Sequence, residues 1–158
     1  MKLKFLRFPI ALLLSVLFIS CETSDDLDEN LTTVDVSEVK STVANGSWIV
    51  SLYEEDAIDQ TSNFSGFGFE FLADGSISVS DGSNSFSGAW SITSESSSSN
   101  DDSSSSDDID FNIFFTSPVN FEEISEDWEI ISYSSSRIEL RHVSGGDGSI
   151  DRLIFEKI

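Results

Sequence analysis

The chain has one cysteine, one histidine and eight basic residues among 158, and each shortage excludes something. A single cysteine cannot brace the fold with an intrachain disulfide. The lone histidine, His142, is no evident base partner for any of the serines, so nucleophilic catalysis has little to stand on. Eight Lys and Arg against 29 Asp and Glu set the formal net charge at −21. Such a surface repels phosphate backbones and anionic headgroups, which argues against nucleic acid binding and against flat adsorption on a membrane. A long apolar segment is also missing. The run from Phe8 to Ile19 would rise about 18 Å as a helix, short of the roughly 30 Å hydrocarbon core, so it cannot span a bilayer unaided.

What is present begins with Lys2, Lys4 and Arg7 ahead of that run, the basic-then-apolar order of a secretory signal. At its end, Leu17, Phe18, Ile19 and Ser20 precede Cys21. This stretch resembles a bacterial lipobox, with Phe18 standing where leucine is usual. The resemblance implies cleavage before Cys21 and no separate cofactor, only covalent lipid on that residue: a diacylglyceryl group on the thioether and an acyl chain on the amine. Each buried methylene contributes about 0.8 kcal/mol and one chain binds only reversibly, so two or more chains make a lasting anchor. Cleavage would leave five basic against 29 acidic side chains, a charge of −24. Ser24, Asp25 and Asp26 resemble the acidic export signal of Bacteroidota-type lipoproteins, which implies an outer-membrane lipoprotein exposed at the cell surface. A solvated, charge-extended tether is the blander account of the same residues. Residues 21–44 read as that tether, in which a short helix over 36–43 would change nothing functional.

From residue 45 onward the chain reads as β. Trp48, Val50 and Leu52 alternate onto one face, as do Phe67, Phe69 and Phe71. Asp74-Gly75 and Asp81-Gly82 link successive alternating runs and predict tight hairpins in which both central residues take positive φ. Phe86, Trp90 and Ile92 share the next face, followed by Ile109, Phe111, Ile113 and Phe115. Three further strands are expected over 128–133, 137–142 and 150–157, the last two joined by a glycine-rich turn. Ser117-Pro118 predicts one helical turn across a mouth, with serine as cap and proline first. Residues 94–108 hold nine serines and five acidic residues, too polar to pack, and predict a loop. The expectation is an all-β, eight-stranded antiparallel up-and-down barrel over 45–158, with a β-sandwich as the alternative.

Gly46-Ser47-Trp48 at the start of the first strand resembles the Gly-x-Trp signature of lipocalins. The order of FSGAWSI, DWEII, RIEL and RLIFEKI is similar to small bacterial lipocalin-like lipoproteins. The resemblance implies that Trp48 packs across a closed end and that a late arginine, Arg152 or its competitor Arg141, stacks on it. It also implies a small hydrophobic or amphipathic ligand, lined by Phe69, Phe86, Trp90, Phe111 and Trp128. For each aromatic taken singly, core packing is the commoner role. An eight-stranded barrel is just wide enough to be filled by side chains or to hold one small ligand. The second reading is a filled barrel serving as an acidic protein- or glycan-binding module, with a cationic protein as partner. Asp101, Asp102, Asp107 and Asp108 offer hard oxygens for Ca²⁺, but no EF-hand spacing orders them, and no metal is expected. Nor is an enzyme expected.

Overall fold

The computed structural model describes residues 35–94, 109–146 and 148–158. The lipobox, Cys21, the Ser24–Asp26 cluster and the aspartates of the serine-rich loop lie outside these residues. Among the described residues nine strands form in chain order: β1 (Ser47–Glu55), β2 (Ile58–Asp59), β3 (Gly68–Phe71), β4 (Ser76–Ser80), β5 (Ser85–Ser94), β6 (Ile109–Phe114), β7 (Asp127–Tyr133), β8 (Arg137–Val143) and β9 (Ile150–Lys157). Every pairing is antiparallel. Neighbours follow the order β1-β3-β4-β5-β6-β7-β8-β9, and β9 pairs back onto β1. That last pairing closes eight strands into an up-and-down barrel and rules out the sandwich, which would keep two open sheets.

The ninth strand, β2, was not expected. It pairs with the end of β1 through a two-residue turn at Asp56 (φ 50°) and Ala57 (φ 61°). Positive φ at both positions is the demand of a type I′ turn, met here without glycine. The Asp-Gly hairpins differ from expectation in the opposite sense. Only Gly75 (φ 87°) and Gly82 (φ 86°) are left-handed, while Asp74 and Asp81 use their carboxylates to accept backbone N–H groups of Ser76, Ser83 and Asn84. Each loop is therefore a side-chain-braced turn.

Two irregularities change which residues face inward. β1 shifts register against β9 between Val50 and Leu52, so Ser51 is an extra residue and the parity flips. Tyr53 is buried in place of Leu52. A one-residue bulge reverses every later side chain, which period-two counting cannot foresee. A similar shift in β7 between Ile130 and Ser132 leaves Ile131 exposed.

The segment before the barrel is not all tether. Val36–Val43 forms an α-helix, α1, with Asp35 capping it by accepting the Ser37 N–H. Val39 and Val43 are fully buried against the barrel core. The folded body thus begins before residue 45. The second helical element, α2 (Val119–Glu122), is the turn expected after Ser117, except that Pro118 occupies the cap position and no side chain caps it.

Candidate functional site

Side chains occupy the barrel axis. Phe71 meets Trp90, Phe111 and Phe155 edge-on at ring separations of 5.4 to 5.5 Å. Phe121 of α2 touches Phe64, Phe67, Phe69, Phe86 and Phe115. Such T-shaped and tilted contacts each add about 0.5–1.5 kcal/mol beyond area burial. Of the residues nominated to line a ligand, Phe69, Phe111 and Trp128 are buried in this packing, and half-buried Phe86 stacks between Phe67 and Phe121. Trp90 differs, because part of it also faces a surface groove.

Both ends of the barrel are stoppered, and aromatic donors tie the stoppers down. At one end α1 lies across the strands and the Trp48 indole N–H donates to the Val43 carbonyl at 2.9 Å. Trp90 donates to the Leu72 carbonyl there, also at 2.9 Å. At the other end a 3₁₀ turn (Thr61–Phe64) and α2 bring in Phe64, Phe121 and Ile124, all buried. Trp128 donates to the Ile124 carbonyl at 3.0 Å, and the Tyr53 hydroxyl to the Glu123 carbonyl at 3.1 Å. The Val43 and Glu123 carbonyls lie at helix ends, where the helix itself leaves carbonyls without partners, whereas the Leu72 and Ile124 carbonyls also accept the Gly75 and Glu126 N–H groups.

The Gly46-Trp48 pair sits at the α1 end, and the cation above Trp48 is not an arginine. Lys157 Nζ lies 5.6 Å from the ring centroid. Gly46 (φ 101°) makes room for it, since a Cβ there would come within 2.5 Å of Lys157 Cε. Arg152 is instead at the far end of β9, reaching Glu54 and Glu139 on the outer surface. Arg141 pairs with Glu129. The reason is parity: Leu153, Phe155 and Lys157 share the inward side of β9, whereas Arg152 and Glu156 share the outward one.

Two surface features remain. A groove of about 540 Å³ beside α1 is lined by Lys40 and Ser41 of the helix, by Ala44 at its C-cap, by Asp74 and Gly75 of the β3–β4 loop, and by Trp90. Among the described residues Lys40 makes no ion pair, whereas the Asp74 carboxylate is already engaged by Ser76. The opposite end is acidic. Burial and the neighbouring Glu123, Asp151 and Asp56 push the Glu55 carboxyl up from its ordinary range. Burial and the surrounding carboxylates of Glu55, Asp151, Glu123 and Glu126 raise the Tyr53 hydroxyl well above its usual value. His142 is half-buried there, its ring edge-on to Trp128 at 6.0 Å. Among the described residues no helix is long and apolar enough to cross a membrane.

Sequence reasoning missed α1 as part of this architecture and Lys40 as a lining residue, although Val36, Val39 and Val43 carry a helical spacing that pointed to a buried face. Lys157 was legible in principle from its parity with Phe155.

The fold and its ends define a class: a closed eight-stranded antiparallel barrel filled with aromatic side chains and stoppered at both mouths. Among solved structures, the chain is similar to the crystal structure of a DUF4847 family protein from Bacteroides vulgatus ATCC 8482. The match has 16% identity and a TM-score of 0.44, and covers 76% of this chain and 97% of that one. A likeness at that level carries nothing about ligand or activity to this chain. No protein-family model matches the sequence, and neither does any curated protein.

Proposed function

We propose that this is a lipocalin-like binding lipoprotein of the cell envelope, held in the outer membrane through lipid on Cys21, whose ligand site is the groove beside α1 rather than the barrel axis. The observation that carries the reading is the 540 Å³ groove, with Trp90 for a wall and Lys40 at its edge. Its size falls within the range of small-molecule sites, which pair apolar walls with a few placed polar groups. The ligand it suits is small and amphipathic, with an apolar body against Trp90, Ala44 and Ala73 and an anionic head against Lys40. This role is binding, without a catalytic step.

Displacement of a fluorescent fatty acid measures it. Ser41→Trp, an exposed helix position that fills the groove, is expected to abolish binding without loss of folding. Lys40→Ala is expected to weaken a fatty acid and leave a fatty alcohol of the same length unaffected. Binding unchanged by Ser41→Trp would remove the groove from consideration. The anchor is tested separately: Cys21→Ala should abolish incorporation of labelled palmitate and release the protein from membranes.

A second reading draws on the packed axis and the −21 charge. An acidic body with a solid core suits a scaffold that attracts a cationic protein, an attraction that weakens as salt rises. Recovery of a basic protein at low salt that is lost at high salt would favour it over the groove.

A further inference from the structure

We propose that the acidic end of the barrel holds a divalent transition-metal site made by His142, Glu126 and Asp127, with Asp151 as the carboxylate behind the imidazole. The proposal is independent of the groove at the other end.

The three residues each present one ligand atom, and those atoms lie within 4.8 Å of one another. His142 Nε2 is 3.8 Å from Glu126 Oε2. Zinc-type bonds of about 2.0–2.2 Å in tetrahedral array place ligand atoms roughly 3.3 Å apart, so closure by at most about 1.5 Å suffices. Glu126 and Asp127 are exposed at the entry to β7 and free to swing that far. The arrangement is no mere gathering of acids, because its fixed member is an imidazole.

The second observation concerns the other ring nitrogen. His142 Nδ1 is buried and has no hydrogen bond, yet it faces Asp151 Oδ2 at 3.5 Å. A buried polar atom left unpaired is costly. Metal binding at Nε2 places the proton on Nδ1 and makes it a stronger donor, which draws it onto Asp151. That is the carboxylate–histidine–metal relay that orients metal-ligating imidazoles. Asp151 is held for the task. It lies opposite His142 in the β8–β9 register, and its other oxygen accepts the Asp56 N–H at 3.0 Å. The edge-on Trp128 ring supports the imidazole from the interior.

The donor set selects the ion. One imidazole and two carboxylates suit Zn²⁺ and its first-row neighbours, whereas Ca²⁺ and Mg²⁺ want oxygen alone. Two carboxylates neutralise a divalent charge, and Arg141, the residue before His142 in β8, is occupied by Glu129. Three protein ligands leave a fourth position for water.

His142 is the only histidine, so its imidazole ¹H–¹⁵N signals are unambiguous. The experiment titrates Zn²⁺ into the full chain carrying Cys21→Ser, so that no thiol competes. Calorimetry is expected to give one site of micromolar or tighter affinity, and the imidazole to settle into the tautomer protonated at Nδ1. His142→Gln and Asp127→Asn should each weaken binding at least tenfold. Asp127 is exposed, so its variant keeps the test intact even if His142→Gln disturbs folding. Asp151→Asn should weaken binding about tenfold while leaving Zn²⁺ bound through Nε2. Zn²⁺ that leaves the imidazole signals unmoved would overturn the proposal, as would Ca²⁺ moving them equally or Asp127→Asn without effect.

Discussion

The two mouths of the barrel are closed by one device and differ in nearly everything else. At each, a short helical element lies across the strands and a buried indole donates to a carbonyl at or just past its end, Trp48 to Val43 and Trp128 to Ile124. The α1 end is sealed by aliphatic side chains and carries the cations Lys40 and Lys157. The α2 end is sealed by phenylalanines and ringed by carboxylates around Tyr53 and His142. A stopper needs only apolar burial and satisfied carbonyls. The chemistry of each rim is therefore free to diverge, and on a chain this acidic the cations at one end are what set it apart.

The largest expected effect breaks the α2 seal. Phe121→Ala removes a ring touching five other phenylalanines and should cost about 3–5 kcal/mol, against about 2 kcal/mol for Val43→Ala at the α1 end. Urea unfolding of the two variants measures the difference, and equal losses would deny that the aromatic end is the stronger seal. Next come the indoles. Trp48→Phe and Trp128→Phe each remove a buried hydrogen bond to a carbonyl and should cost about 1–2 kcal/mol. Trp48→Phe should lose somewhat more, by about 0.5 kcal/mol, because Lys157 also sits over that ring.

Acid should act on the ends in opposite senses. Hydrogen bonds from the Ser37 side chain and backbone N–H hold the Asp35 carboxyl below its ordinary range. Its stabilisation of α1 is thus present above the unfolded pKa and fades as pH falls through the folded one. Glu55 is raised, by burial first and then by Glu123, Asp151 and Asp56. Ionising it costs stability as pH rises, so Glu55→Gln should raise Tm at pH 7. The advantage should vanish once pH drops below the ordinary glutamate value of 4.5, and thermal melts from pH 4 to 8 follow both groups. The smallest effect belongs to β2. Ala57 at φ 61° is a side chain in left-handed backbone, and Ala57→Gly should stabilise by up to about 1 kcal/mol in chemical denaturation.

The strand inventory was readable because alternation is a property of neighbours along the chain. All eight barrel strands follow from runs such as Phe67-Phe69-Phe71 and Ile109-Phe111-Ile113. β2 escaped because its turn uses Asp56-Ala57, a pair with no glycine to announce it. Leu52 was misplaced because the bulge at Ser51 exists only against β9, about one hundred residues away in sequence. The candidate sites were less legible. Trp90 was singled out as a ligand-lining residue, but the groove it faces needs α1 folded back beside the β3–β4 loop. His142 stood out by being alone, whereas its companions Glu126, Asp127 and Asp151 were lost among 29 acidic residues.

By itself the sequence determined a β protein of eight alternating strands with a bulky aromatic inner face, since period-two burial is local and survives any global arrangement. Only the tertiary structure decided that β9 closes on β1, that both mouths are shut, that Lys157 rather than Arg152 covers Trp48, and that one imidazole meets three carboxylates. Those outcomes turn on register, bulges and the return of distant segments, where a shift of one residue moves a side chain from inside to outside.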